Sequence, residues 1–301
     1  MKRYLKFEVL LPILALVMTV AITVFRSLAI CLAYDPAVGY YETGNLIVIS
    51  ANLLTVVYVL LALALSVVSC FGKLMPSKDP LHARVTALSL GCAVALFCFD
   101  HLSNWTYQSR ADICLLLSII AAFIGLSFCA LTFLRVNTLE PVRALGALCL
   151  SLSFMLHALC HYMETSTPIN GDLKTLYMFA GISAALFFLV EGKRSLSQEN
   201  GVSARFFTLC CSMLCISVGI SETFAFFFKK EAFSENYTHP LLLLCVGIYA
   251  FARLLAAKVP VATLNGMAKH GQEVWEDEDD DNLPEGEVTE ITPQNPETKE
   301  Q

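Results

Sequence analysis

The sequence predicts an all-α integral membrane protein, a polytopic bundle of eight transmembrane helices. Three observations lead to this fold class. Hydrophobic residues make up 56% of the 301 residues and charged residues only 15%, whereas soluble domains are typically about one quarter charged. The mean hydropathy of +0.63 is too high for a water-soluble domain of this length to bury its apolar surface. The apolar residues also form eight runs, each approximately long enough to cross a ~30 Å hydrocarbon core as a helix.

Each predicted span ends where the composition turns polar or where turn-forming residues appear. In chain order, the breaks include "YDPAVGYYETGN" after the first span, "GKLMPSKDP" after the second, "RVNTLEP" after the fourth, "STPINGD" after the fifth and "EGKRSLSQENG" after the sixth. The predicted spans are 8–33, 46–71, 84–102, 112–134, 142–163, 173–190, 205–228 and 240–257. Together they give a transmembrane domain over residues 1–260.

The third, fifth and seventh spans share a pattern that indicates a helical-hairpin repeat. Each starts with a basic residue and reaches a polar cluster at its other end, as in "ARVTALSLGCAVALFCFDH" and "VRALGALCLSLSFMLHALCH". The same pattern also arises without a repeat, because loops on one side are basic and the opposite ends of the spans turn polar.

Lysine and arginine orient the predicted bundle. With the N-terminus in the cytoplasm, the cytoplasmic side receives 14 of the 20 Lys and Arg residues and the opposite side receives four. Cytoplasmic loops of membrane proteins carry such an excess of positive charge. We therefore expect a protein of the cell membrane with both termini in the cytoplasm.

Residues 261–301 are predicted to form a disordered, acidic cytoplasmic tail. From residue 273 onward the chain holds 12 Asp and Glu residues and a single Lys. Its few apolar side chains cannot offset the entropy lost on ordering. The tail either binds a basic protein partner or is simply a solvated end.

Ionisable residues inside the spans are the informative exceptions, because they are costly in hydrocarbon and normally face a protein interior or a wet cavity. The stretch "HALCHYMET" puts His157, His161 and Glu164 on one helix face, at spacings of four and three. With a rise of about 1.5 Å per residue, polar groups of three other spans fall at a similar depth. The predicted pocket, near the extracytoplasmic face, consists of Arg26, Asp100, His101, His157, His161, Glu164 and Glu222.

The surroundings of this layer are also predicted. Asp112, Asp172 and His239 begin spans at the same face, whereas the cytoplasmic half of the bundle is expected to be almost purely apolar.

The polar layer has three interpretations. The leading one is a transporter-like or ligand-sensing protein without a cofactor, whose pocket takes an unknown small solute or lipid. The alternative is a metal-dependent intramembrane hydrolase acting on lipid, with zinc held by His157 and His161 and a third ligand from His101, Asp100 or Glu222, since His-x₃-His presents two imidazoles to one ion. Water on such an ion becomes a nucleophile near neutral pH. A buried pair of opposite charges could instead only fix the register of the helices.

Other function classes are excluded by what the sequence lacks. It has neither a phosphate-binding loop of the Walker type nor a dinucleotide-binding fingerprint. No lysine lies in the middle of a span, which excludes a retinal Schiff base, and no row of arginines resembles a voltage sensor. Nothing in the sequence indicates nucleic-acid binding, so the lipid bilayer is the one partner that the composition requires.

Overall fold

The computed structural model is an all-α bundle whose described residues form eight helices long and apolar enough to cross a membrane. The predicted fold class is therefore confirmed. The structure describes residues 2–35, 40–42, 44–70, 81–103, 105, 110–134, 139–163, 172–196, 201–228 and 238–255. The helices are α1 (Lys2–Ala33), α2 (Leu46–Cys70), α3 (Leu81–Ser103), α4 (Arg110–Leu134), α5 (Glu140–Met163), α6 (Asp172–Ser195), α7 (Gly201–Phe228) and α8 (Thr238–Leu255). The predicted acidic tail lies outside the described residues.

Most helix ends fall within a few residues of the predicted spans. The two larger differences are α1, which begins at Lys2 rather than at residue 8, and α6, which continues to Ser195 rather than ending at residue 190. Apolar composition marks only the part of a helix that lies in hydrocarbon. Charged residues such as lysine and glutamate are good helix formers and extend a helix beyond that part.

A two-stranded antiparallel ribbon follows α1, within the stretch that the sequence predicted to be only a break. It pairs β1 (Tyr34–Asp35) with β2 (Tyr40–Tyr41), and Tyr34 lies opposite Tyr41. The rings of that cross-strand pair meet edge to face, with centroids 5.4 Å apart. Aromatic pairs of this kind stabilise facing strands.

Helix α7 lies at the centre of the bundle. Its apolar window is 72% buried, against 17% for that of α2, so α2 is peripheral. Helix α7 packs against α1, α2, α6 and α8, while α3, α4, α5 and α6 contact one another in chain order. Helix α8 also packs against α3 and α6. The ends of α3, α5 and α7 and the start of α8 can therefore bring side chains to one region.

The main chains of α7 and α8 come into direct contact at two glycines. A Cβ atom on Gly219 would lie 2.8 Å from both the Leu244 nitrogen and the Pro240 oxygen, and one on Gly247 would lie 2.7 Å from the Ile216 nitrogen. Only glycine fits at such a crossing, and small residues serve this purpose in membrane helices. The contact at Gly219 holds the first turn of α8 against α7.

Serine hydroxyls join the helices that surround this centre. Ser118 of α4 donates to the carbonyl of Ser153 on α5 at 2.9 Å, and Ser151 of α5 donates to the carbonyl of Ala185 on α6 at 2.7 Å. Hydrogen bonds of this kind between membrane helices contribute about 1 kcal/mol each. The bundle thus pairs its buried hydroxyls with backbone acceptors in this region.

Large apolar side chains cover the outside of the bundle. Phe99 is 74% exposed, Phe123 is 68% exposed and Leu53 is 62% exposed. A continuous apolar surface of this kind would drive association in water, but acyl chains solvate it well. These side chains are therefore the contacts of the protein with the lipid bilayer.

Candidate functional site

Helix α5 supplies two histidines because its buried face continues to its last turns. Leu150, Phe154 and His157 recur at intervals of four and three residues, so they share one face, and His161 follows one turn later. Leu150 and Phe154 belong to the hydrophobic core. His157 therefore points into the bundle and is only 7% exposed.

Helix α8 supplies a third histidine at its start. His239 is the second residue of α8 and precedes Pro240, and a proline in the first turn favours helix initiation because its fixed φ suits the helix. The close contact at Gly219 holds this turn against α7. His239 is 7% exposed, so its imidazole is buried inside the bundle rather than at a lipid-facing surface.

The three imidazoles converge. The Nε2 atoms of His157 and His161 are 3.1 Å apart, so one ring donates a hydrogen bond and the other accepts it. The ring centroid of His239 lies 4.2 Å from that of His157 and 5.1 Å from that of His161. One nitrogen of each ring lies within 4.8 Å of the corresponding nitrogens of the other two. We call these residues the three-histidine group.

A fourth imidazole borders this group. His101 of α3 has its ring centroid 6.1 Å from that of His157. The ring of Phe97 lies 4.4 Å from His101 and 5.3 Å from His157, edge to face with both. His101 is therefore a neighbour of the group rather than one of its closest members. We call His101 together with the three-histidine group the histidine cluster.

Two carboxylates flank the histidine cluster. Thr238 of α8 donates a hydrogen bond to Asp100 Oδ2 of α3 at 2.8 Å. On the other side, the hydroxyl of Tyr177 on α6 donates a hydrogen bond to Glu222 Oε2 on α7. The Tyr177 ring lies 4.9 Å from the ring of His239 and nearly parallel to it. Five helices, α3, α5, α6, α7 and α8, thus contribute polar side chains to one connected site.

Several buried atoms of this site lack a hydrogen-bond partner among the described residues. They are His101 Nε2, His157 Nδ1 and Glu222 Oε1. Glu222 is only 3% exposed, so water does not reach it freely. More than about 90% of buried polar atoms in proteins are paired. Three unpaired atoms from three helices in one cluster therefore require an explanation.

The chain matches no protein-family model, no curated protein and no solved structure. Its specific function therefore has to be inferred from the chemistry of the histidine cluster. What the described residues establish directly is a multi-pass membrane protein, from the length and apolar composition of its helices.

The structure brings together most of the residues that the sequence placed in a pocket. His101, His157 and His161 lie in the histidine cluster, with Asp100 and Glu222 beside it. Glu164 lies outside the described residues. The structure does not group His101 with His157 and His161 as a third metal ligand; it groups His239 with them.

Arg26 stands apart in its described contact. Its Nη2 atom donates to Thr55 Oγ1 on α2 at 2.8 Å, and the side chain is 3% exposed. This hydrogen bond joins α1 to α2, on the side of α7 that α1 and α2 cover. This described contact of Arg26 belongs to the packing of α1 on α2 and not to the histidine cluster.

Sequence reasoning missed two members of the site. His239 carried a signal, because it begins the last predicted span at the same membrane face as the other polar groups. Tyr177 carried none, since a tyrosine in an apolar span is common and its partner, Glu222, lies on another helix. Pairing between distant helices leaves no periodic pattern in the sequence.

A second buried polar cluster corrects the expectation that the half opposite the histidines is almost purely apolar. Glu191 of α6 is 3% exposed. Arg253 Nε on α8 donates a hydrogen bond to Glu191 Oε1 at 3.2 Å, and Arg253 Nη2 lies 3.2 Å from Glu191 Oε2. Arg194 Nη1 lies 3.1 Å from the same carboxylate, and the Tyr249 hydroxyl donates to it at 3.4 Å. Arg253 thus offsets the charge of Glu191 inside the bundle, at a position that looked like a loop charge.

Proposed function

We propose that this protein binds a small polar ligand in the histidine cluster and acts as a transporter-like or ligand-sensing membrane protein. The observation that carries the proposal is the set of unpaired buried atoms, His101 Nε2, His157 Nδ1 and Glu222 Oε1. A layer that only fixes helix register gains nothing from them, because each unpaired buried group costs about 1–3 kcal/mol. A ligand that pairs with atoms of this group, directly or through its bound water, lowers that cost.

We further propose that the pocket faces the extracytoplasmic side of the cell membrane. The support is the excess of Lys and Arg at the ends and loops opposite the cluster. The polar side chains come from the last turns of α3 and α5 and the first turn of α8. A ligand from outside the cell would therefore reach the site without crossing the apolar middle of the bundle.

A binding pocket exchanges its ligand with water, so its imidazoles must be reachable by a small water-soluble reagent. We expect diethyl pyrocarbonate to modify His101 and His161 in the folded protein, as detected by mass spectrometry of proteolytic peptides. Both side chains are partly exposed in the bundle. His82, exposed at the start of α3, provides the reference rate in the same sample. Reaction at His82 with complete protection of His101 and His161 would instead indicate a dry, purely structural layer.

A metal-dependent lipid hydrolase is the second candidate. The three-histidine group favours it, because catalytic zinc sites use three protein ligands and leave one position for water. Glu222, linked to the group through Tyr177, is the nearby base that would take a proton from that water. A zinc ion held there would supply a nucleophile for the carbonyl carbon of a lipid amide or ester, and Glu222 would return the proton to the departing amine or alcohol.

The hydrolase candidate predicts a measurable activity. Purified protein with Zn²⁺ should release fatty acid from a fluorogenic fatty-acyl amide or ester in mixed micelles. Glu222→Gln should lower the rate at least about 100-fold, because general acid–base groups contribute about 10²–10⁴-fold. His82→Ala is the matched control and should keep the full rate. Equal rates for the wild-type protein and Glu222→Gln would leave the hydrolase candidate without support.

A further inference from the structure

We propose that the ligand of this pocket is a divalent transition-metal ion, zinc above all, bound directly by His157, His161 and His239. This inference rests on the proposed pocket and names the chemical class of its ligand. The observation behind it is the convergence of three imidazole nitrogens, each within 4.8 Å of the other two. The described residues bring them there from α5 and α8, two helices distant in sequence.

The distances are close to those that zinc requires. Zinc–nitrogen bonds of about 2.0–2.1 Å in a tetrahedral site place two ligand nitrogens about 3.3–3.4 Å apart. The Nε2 atoms of His157 and His161 are 3.1 Å apart. The remaining pairs, at 4.8 Å or less, close to the same spacing with a shift of at most about 1.5 Å.

The chemistry of the donors selects the class of ion. Imidazole nitrogen suits zinc, copper, iron and nickel, whereas magnesium and calcium prefer oxygen ligands. Three neutral imidazoles around a tetrahedral position favour zinc over Cu²⁺, which prefers a square-planar arrangement. Two carboxyl groups lie beside the site, Asp100 next to His101 and Glu222 hydrogen-bonded to Tyr177.

The surroundings of the group indicate reversible rather than permanent binding. Metal-binding histidines normally donate their second nitrogen to a carboxylate or carbonyl, and losing such a partner lowers metal affinity about 10- to 100-fold. His157 Nδ1 is buried and has no partner among the described residues. The ring centroid of His101 lies farther off, 6.1 Å from that of His157, which leaves the fourth position to water or substrate. An ion held in this way can be released, as transport or sensing requires.

The test is a Zn²⁺ titration of the purified full-length protein in detergent, in which calorimetry measures the dissociation constant. His157→Ala and His239→Ala should each weaken Zn²⁺ binding more than about 100-fold, since loss of a metal ligand lowers the affinity more than loss of a residue that only hydrogen-bonds to a ligand. His101→Ala should weaken it at most about 10-fold. His82→Ala, at the start of α3, should not change it.

Buried thiols are the competing zinc ligands, and they need their own control. The Sγ atoms of Cys211 and Cys215 on α7 are 3.8 Å apart. The double variant Cys211→Ser/Cys215→Ser should keep the affinity of the wild-type protein. Absence of Zn²⁺ binding in the wild-type protein, or a loss in Cys211→Ser/Cys215→Ser as large as in His239→Ala, would overturn the proposal. So would a loss in His101→Ala equal to that in His239→Ala.

Protection of the wild-type protein provides a measurement that does not depend on the folding of variants. Zn²⁺ should slow the reaction of diethyl pyrocarbonate with His161 and leave the reaction of His82 unchanged. If His161 reacts equally fast with and without Zn²⁺, the metal proposal fails while the pocket stands. If His161 and His101 do not react at all, the pocket itself fails, and the metal proposal fails with it.

Discussion

Replacing Glu191 with leucine is expected to lower the free energy of unfolding by about 3–5 kcal/mol. Glu191 is the carboxylate that two arginines and a tyrosine share, and Arg253 is only 6% exposed. The single substitution leaves the Arg253 guanidinium buried without its counter-charge. Removing one partner of a buried ion pair is strongly destabilising for this reason, although an intact pair contributes little over a well-packed apolar pair.

The double variant Glu191→Leu/Arg253→Leu separates these two effects. It removes both charges, so it should be less destabilised than Glu191→Leu alone. Arg194→Ala is the matched control, because the Arg194 side chain is 21% exposed against 6% for Arg253, so its removal should destabilise the protein less than Glu191→Leu does. Thermal or denaturant unfolding in one detergent gives the free energies of unfolding of the wild-type protein and the three variants. The explanation fails if the double variant is less stable than Glu191→Leu.

Saturation with Zn²⁺ is expected to raise the free energy of unfolding by about 2.7 kcal/mol when the free ion is at 100 times its dissociation constant. The gain arises because His157, His161 and His239 converge in the folded bundle and are dispersed in the unfolded chain. Binding to the unfolded state, with its many cysteines, would reduce the gain. The figure is therefore an upper value for this chain.

The measurement is the unfolding transition of the purified protein with Zn²⁺ and with a chelator. The variant His157→Ala/His161→Ala should lose the difference between the two conditions, and His82→Ala should retain it. If Zn²⁺ raises the free energy of unfolding of His157→Ala/His161→Ala as much as that of the wild-type protein, the stabilising ion binds elsewhere in the molecule and the proposed ligands are wrong.

The fold was predictable from the sequence because the bilayer requires an apolar stretch within each helix, whatever that helix packs against. Each span needs about 20 apolar residues in succession, and that requirement can be read without knowing which helices meet. The pair His157 and His161 was predictable for a similar reason, since four residues along a helix return to the same face. That spacing allows the 3.1 Å contact between their Nε2 atoms.

The rest of the site depends on contacts between distant helices. His239 joins His157 only because α8 folds back against α7 and α3, and no periodicity in the sequence reports that packing. Glu191 was misread for the same reason. A carboxylate at the end of an apolar run resembles a loop residue until Arg253, on another helix, is known to face it.

The glycine contacts between α7 and α8 limit how these two helices can move. The helices touch main chain to main chain at Gly219 and Gly247, within about one helical turn of each other, so sliding one past the other meets steric resistance at this crossing. Helices α7 and α8 should therefore move as one rigid unit, so that His239 and Glu222 keep their relative positions. A gating motion at the histidine cluster would then move α5, with His157 and His161, towards or away from α7 and α8.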